Sequence, residues 1–292
     1  MKEFRDKVAA ITGAGSGIGR ALALDLAQRG CHVALCDINA ECLAETAAQV
    51  VGHGVRVTQA TVDVADRAAM HAWADAVARD FGHVNLVFNN AGVALVSTIE
   101  GVAYENLEWI MGINFWGVVH GTKAFLPHLI ASGDGHVVNL SSVFGLAGVP
   151  TQSGYNAAKF AVRGFTECLR AELEMMRCGV SATCVHPGGI KTNIARAARA
   201  CGSVRALGLE DGKDEGEFET TAFTTPEKAA RIILRAVQKN RRRVMVGPDA
   251  YVFDWITRLF PARYHRIVIA LMRSAHQQRR KAGKTADATE TN

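Results

Sequence analysis

Short runs of apolar, often β-branched residues alternate along this chain with longer stretches in which apolar positions recur every three or four residues. The short runs read as strands, at Val8–Thr12, Val33–Cys36, Val55–Thr61, Leu86–Asn89, His136–Leu140, Ser181–Val185 and Arg243–Val246. The longer stretches read as helices, at Ile18–Arg29, Ala40–Val51, Ala65–Phe81, Tyr104–Ile130, Tyr155–Arg177 and Pro226–Lys239. Near-continuous apolar strands alternating with helices predict a parallel sheet covered on both faces. That is an α/β fold, a doubly wound Rossmann-type sheet of about seven strands. Ligands of such sheets bind at the carboxyl ends of the strands, so the residues just past each strand carry the functional information.

Two segments break the rhythm. Residues 193–225 hold an Ala/Arg-rich piece and then a Gly- and acid-rich one, too polar and irregular for core. Beyond residue 250, Tyr251–Met272 is rich in aromatics, Ile, Leu and Arg, and past His276 the chain turns polar and is expected to be disordered. Residues 1–250 are therefore expected to form one domain, with 251–292 as a C-terminal extension.

Composition narrows the class. A chain of 292 residues with 49% hydrophobic and 21% charged residues can bury a sizeable core. Its apolar runs stop well short of the roughly 18–20 residues of a membrane span. The short charged N-terminus leads straight into the first strand, leaving no room for a signal peptide, so a cytoplasmic location is expected. Seven cysteines without a Cys-x-x-Cys pair read as reduced thiols, and ten histidines without metal-like spacing give no metal site. Of the 33 basic and 28 acidic residues, eight basic and two acidic lie from Arg258 onward. The net charge of +5 thus belongs to the tail, and no nucleic-acid-binding core is implied.

The first strand runs into Thr12-Gly13-Ala14-Gly15-Ser16-Gly17-Ile18-Gly19 and then a helix. Glycines let backbone approach a pyrophosphate, and a helix N-terminus offers N–H groups to its charge. The spacing is T-G-x-x-x-G-x-G rather than G-x-G-x-x-G. Asp37 ends the second strand, where a carboxylate can bind an adenosine ribose diol and repel a 2′-phosphate, which favours NAD over NADP. The alternative is a solvated acid opening the Asp37-Ile38-Asn39 turn. Asp63-Val64 and Asn89-Asn90-Ala91-Gly92 end the third and fourth strands; ordinary turn chemistry is the competing reading for both.

Tyr155 and Lys159 stand four residues apart on one helix face, with Ser142 thirteen positions before the tyrosine. A phenol titrating near ~10 is a poor base at neutral pH, and a nearby ammonium stabilises the phenolate. Together with the glycine turn, Asn89–Gly92, Asn114 and Pro187-Gly188, these residues resemble the short-chain dehydrogenase/reductase family in order and spacing over about residues 5–250. The resemblance implies a Tyr155 that exchanges a proton with the substrate oxygen and a Ser142 that hydrogen-bonds it. It also implies a Lys159 that holds the cofactor ribose and an Asn114 that positions a relay water. Pro187, Gly188 and Thr192 resemble the segment lying along the nicotinamide. The candidate cofactor set is then Gly13, Ser16, Gly17, Ile18, Gly19, Asp37, Asp63, Val64, Asn90, Ala91, Gly92, Tyr155, Lys159, Pro187, Gly188 and Thr192.

Family spacing favours Ser142 over the adjacent Ser141. His186 and Cys184 read as packing residues, as do Trp109 and Trp116, which stand in the long helix and suit a dimer contact. Pocket walls are expected from Ala94–Ser97, Val143–Gln152 and the loop after Gly189, mostly apolar, so the expected substrate is a hydrophobic secondary alcohol or ketone. The 193–225 segment would close over it as a lid. A homodimer or homotetramer is expected.

Other readings stay open. An NADPH-dependent carbonyl or 3-oxoacyl-carrier-protein reductase would suit a basic residue where Asp37-Ile38 stands. A non-catalytic binding module would have lost Tyr, Lys or Ser, and all three are present. The aromatic, arginine-flanked tail could also lie on a membrane surface. Pro261, which interrupts the helix, and Asp254, within the apolar run, argue against that and for packing on a partner subunit or capping the pocket.

Overall fold

The computed structural model describes residues 1–194, 197–207, 224–270, 272 and 274. Seven parallel strands form one sheet in the order β3-β2-β1-β4-β6-β7-β9. These are β1 (Val8–Thr12), β2 (His32–Asp37), β3 (Val57–Thr61), β4 (Leu86–Asn89), β6 (Gly135–Leu140), β7 (Val180–Pro187) and β9 (Arg243–Val246). The strand order reverses between β1 and β4, which opens a crevice at their carboxyl ends.

Apolar alternation along the strands divides the core in two. Ala9 and Ile11 of β1 face α1 (Gly17–Gln28), α2 (Ala40–Val51) and α7 (Pro226–Gln238), packing with Leu22, Leu26, Leu43, Ile233 and Val237. Val8 and Ala10 face the opposite side. There they meet Trp73 and Phe81 of α3 (Arg67–Phe81), Phe125 of α5 (Gly117–Ser132) and Leu173 of α6 (Ser153–Met176). A strand of five wholly buried residues is stable here because both of its faces are covered.

The single helix expected over Tyr104–Ile130 is instead three pieces. α4 (Tyr104–Met111) and α5 are joined by a π-helical turn, Gly112–Trp116. The apolar period runs on through this turn, so nothing local announces it; a long-range contact of Asn114, described below, accompanies it. Strand limits also shift: β2 takes in Asp37, β3 starts at Val57 rather than Val55, and β7 extends to Pro187.

The segment expected to be too polar for core is partly packed. β8 (Arg199–Ala200) pairs in parallel with β5 (Leu95–Val96), and Val204, in the 3-10 turn Gly202–Leu207, is buried. Ser203 Oγ bonds to Ser97 Oγ and accepts from Thr98 N–H, both at 3.2 Å. The rest of the expected lid, 195–196 and 208–223, lies outside the described residues, as does the polar tail past 274.

The expected boundary at residue 250 falls inside a helix, α8 (Pro248–Leu259). Its Ala250 and Phe253 pack against Val143, Leu146 and Met245, and the Tyr264 hydroxyl accepts a hydrogen bond from Gly148 N–H at 3.0 Å. Asp254, the acid within the apolar run, lies inside this helix and is paired there. Arg243 Nη2 bonds both of its oxygens at 2.8 and 2.9 Å, and Arg258 Nε bonds one at 3.0 Å. The helix ends two residues before Pro261, leaving Tyr251, Val252, Trp255 and Leu259 exposed. Among the described residues no helix is long and apolar enough to cross a membrane.

Candidate active site

β1 delivers the glycine turn to the crevice. Gly13 takes a positive φ of +64°, and a Cβ there would stand 2.8 Å from Ala91 Cα. A Cβ on Gly19 would lie 2.1 Å from the Gly13 carbonyl oxygen, so only glycine lets α1 begin this close to the turn. Ser16 caps α1 without a side-chain hydrogen bond, and no acidic residue occupies the first turn with Gly17, Ile18 and Gly19. An uncapped helix start on a glycine turn suits an anionic diphosphate. The residues present fit a dinucleotide.

Thr12, the residue before the turn, ties it to the β4 end. Its hydroxyl accepts from the N–H groups of Asn90 (2.9 Å) and Ala91 (3.0 Å). Asn90 Nδ2 donates back to the carbonyls of Thr12 (2.9 Å) and Gly13 (3.1 Å). Asp37 lies alongside: its Oδ2 accepts from Gly15 N–H at 2.8 Å and its Oδ1 from Asn39 N–H at 2.9 Å. Each oxygen keeps acceptor capacity for a diol. Arg20 reaches the same turn but is committed to Glu45, Thr46 and the carbonyls of Gly15 and Cys42. Asp63 is exposed and Val64 buried; Asp63 Oδ1 accepts from Ala65 N–H, the ordinary turn bond that its residue type allows.

At the other end of the crevice, Ser142, Tyr155, Lys159 and Asn114 converge. Asn114 is fully buried in the π-helical turn, where its side chain pairs with Val93 backbone as donor and acceptor, both at 2.8 Å. Gly92 marks the meeting point: a Cβ there would be 3.2 Å from Asn114 Oδ1 and 3.5 Å from Lys159 Nζ. Lys159 is buried, donates to the Leu140 carbonyl at 2.9 Å, and lies 5.6 Å from the centre of the Tyr155 ring. Burial lowers its pKa to about 8. Burial also pushes the Tyr155 phenol up to about 12, opposed by hydrogen bonding with the Ser142 hydroxyl. Ser142 opens the 3-10 turn Val143–Gly145 and accepts from Phe144 N–H at 3.1 Å. The neighbouring Ser141 hydroxyl is spent on the Lys159 carbonyl at 2.8 Å, which separates the two serines' roles.

Pro187 and Gly188 close β7, and Thr192 arrives over the glycine turn, its methyl 3.0 Å from where a Gly17 Cβ would stand. His186 donates from Nδ1 to the Ser142 carbonyl at 3.0 Å, since a carbonyl can only accept; burial lowers its pKa to about 4, so the ring is neutral. Cys184 is a core residue whose thiol burial pushes up to about 12. Trp109 packs under the Arg199 guanidinium at 3.6 Å, whereas Trp116 is half exposed beside His120. Among the expected pocket walls, Leu95, Val143 and Leu146 are buried in packing, while Val96, Phe144 and Val149 remain partly open, Phe144 edge-on to Tyr155. The sequence reading passed over Asp249, which accepts from Gly189 N–H at 2.6 Å. Its signal in the sequence is an acid three residues past the last strand.

The sequence model of the short chain dehydrogenase family matches residues 7–201. SadH of Mycobacterium tuberculosis, which its name gives only as an oxidoreductase, is 49% identical over 275 residues, 92% of this chain and 96% of that protein. The C alpha-dehydrogenase of Sphingobium sp. is 35% identical over 258 residues, 85% of this chain and 83% of that enzyme. A crystal structure of a short chain dehydrogenase/reductase from Burkholderia phymatum in complex with NAD aligns with a TM-score of 0.82 at 31% identity, covering 88% of this chain and 95% of that one. With its seven-stranded sheet and these relatives, the chain belongs to the short-chain dehydrogenase/reductase family of oxidoreductases.

Proposed function

We propose that this enzyme moves hydride between NAD(H) and a hydrophobic secondary alcohol or ketone, with Tyr155 exchanging the proton at the substrate oxygen. The observation that carries the reading is the convergence of the Lys159 ammonium and the Ser142 hydroxyl on Tyr155 at the crevice. A bound nicotinamide dinucleotide supplies the hydride acceptor or donor. Ser142 orients the substrate oxygen toward the phenol, and Lys159, anchored on the Leu140 carbonyl, favours the phenolate electrostatically. Asn114 holds the backbone at Val93 through two hydrogen bonds, which steadies the wall on which a relay water would rest.

Cofactor choice follows from charge. A 2′-phosphate at Asp37 would meet a carboxylate rather than a cation, and the engagement of Arg20 elsewhere supports the same preference. The NADPH-dependent reductase reading needs a basic residue at that position. The apolar character of Val96, Phe144 and Val149 supports a hydrophobic substrate.

The test is an absorbance assay at 340 nm with NAD and NADP against a panel of secondary alcohols, repeated with Tyr155→Phe. Turnover with NAD that collapses in the variant is the expected result. Undiminished turnover in Tyr155→Phe overturns the mechanism, and a strong preference for NADP overturns the reading of Asp37.

A further inference from the structure

The segment that leaves β7 at Pro187 crosses back over the glycine turn, and a cleft of about 250 Å³ lies between it and α1, lined by Gly17, Arg20, Lys191, Thr192 and Asn193. Chain from beyond residue 223 holds it there. Lys191 N–H donates to the Thr224 carbonyl at 3.0 Å and Thr224 N–H to the Gly189 carbonyl at 3.4 Å. On the other side Asp249, in the first turn of α8, accepts from Gly189 N–H at 2.6 Å. Gly188 lies so close to the same carboxylate that a Cβ would stand 2.0 Å from its Oδ2.

Among the described residues, the remaining oxygen of this carboxylate is buried without a partner, and so is the Thr224 hydroxyl; both border Gly247. Burying a carboxylate with one oxygen unpaired is costly, and packing alone would be better served by an apolar side chain. The bond it does make falls on a Gly-Gly pair, the most permissive backbone in the chain.

We propose that Asp249 is a positioning residue for the cofactor: its bond to Gly189 fixes residues 188–192 against the glycine turn, so that α8 completes the dinucleotide site. The inference rests on the dinucleotide reading above. Without the carboxylate, Gly188-Gly189 gains conformational freedom that the cofactor must remove on binding, which raises its dissociation constant.

The experiment uses the full chain with Asp249→Ala, Asp249→Ser and Asp249→Asn. NADH binding is read by fluorescence, NAD kinetics by KM and kcat, and the backbone of 188–192 by amide hydrogen exchange. Alanine removes the acceptor and serine, a second route should alanine fail to fold, is too short to reach Gly189. Both are expected to weaken NADH binding and raise KM for NAD by about tenfold, with kcat held within about threefold. Exchange should quicken in 188–192 and not in Val8–Thr12. Asparagine keeps the acceptor and should restore binding to within about threefold. Folded alanine or serine variants with wild-type affinity overturn the proposal, as does an asparagine variant as weak as they are. Wild-type protein that binds neither NADH nor NADPH overturns the dinucleotide reading instead, a result the exchange data keep distinct from the Asp249–Gly189 contact.

Discussion

The Lys159 ammonium donates to the Leu140 carbonyl at 2.9 Å while lying 5.6 Å from the Tyr155 ring centre. Leu140 is the last residue of β6, so the charge nearest the proposed proton donor is fixed to the sheet and does not depend on a mobile loop. Its pKa of about 8 makes that charge sensitive to pH in the alkaline range.

Lys159→Met should therefore lower kcat/KM for alcohol oxidation by about 100-fold and shift the rise of the pH–rate profile to higher pH, because the phenolate loses its cation. Melting temperature should hold or increase, since an apolar isostere replaces a buried charge. Initial rates from pH 6 to 10 with parallel melting curves test this; an unshifted profile counts against the electrostatic role.

Tyr155→Phe should reduce turnover by about 10²–10⁴-fold. NADH affinity, read by fluorescence titration, should stay within about threefold. A matching loss of affinity would mean that the hydroxyl serves binding rather than proton transfer.

Asp37→Ser removes the carboxylate that accepts from Gly15 and Asn39 and with it the repulsion of a 2′-phosphate. The ratio of kcat/KM for NADP to that for NAD should rise by about tenfold or more. A constant ratio would leave Asp37 as a turn residue only.

Beneath the site, Asn89 Nδ2 donates to Asn139 Oδ1 (2.8 Å) and Thr122 Oγ1 (3.1 Å), and Asn139 Nδ2 donates to Thr166 Oγ1 (3.0 Å). This buried network stitches β4 and β6 to α5 and α6. Asn139→Leu removes one hydrogen bond from each of Asn89 and Thr166, leaving them only Thr122 and the Val162 carbonyl, and should cost about 2–4 kcal/mol in urea unfolding. A loss below about 1 kcal/mol would show that the network is not cooperative.

His136 is buried and bonded to the Thr183 hydroxyl at 2.8 Å, and burial lowers its pKa from 6.5 to about 3. Between those values the unfolded chain binds the proton and the folded one does not, so this contribution is present above pH 6.5 and is lost as pH falls toward 3. His186, lowered to about 4, acts in the same direction. Melting temperature should drop between pH 6.5 and 4.5, with a shallower slope in His136→Gln. Equal slopes would remove His136 from the account.

The fold was legible because β1, β4 and β9 are short apolar runs bounded by turns, and their limits agree with the sequence reading. The candidate residues were legible because they sit just past strands or four apart on a helix. What escaped depends on contacts distant in sequence. Two-residue strands such as β5 and β8 carry no period to detect. Asp254 is an acid inside an apolar run in the sequence, and its partner is Arg243, eleven residues earlier. The break in the long helix at Gly112 accompanies the contact of Asn114 with Val93, 21 residues away.

A π-helical turn holds one residue more than the α-helix that would replace it. Deleting a single residue from Tyr104–Met111 would allow Gly112–Trp116 to relax into α-helix and carry Asn114 about 100° around the axis, away from Val93. The alignment between α4 and α5 is thus a matter of residue count as well as of residue type. An insertion or deletion there would misaim the site even with Ser142, Tyr155 and Lys159 intact.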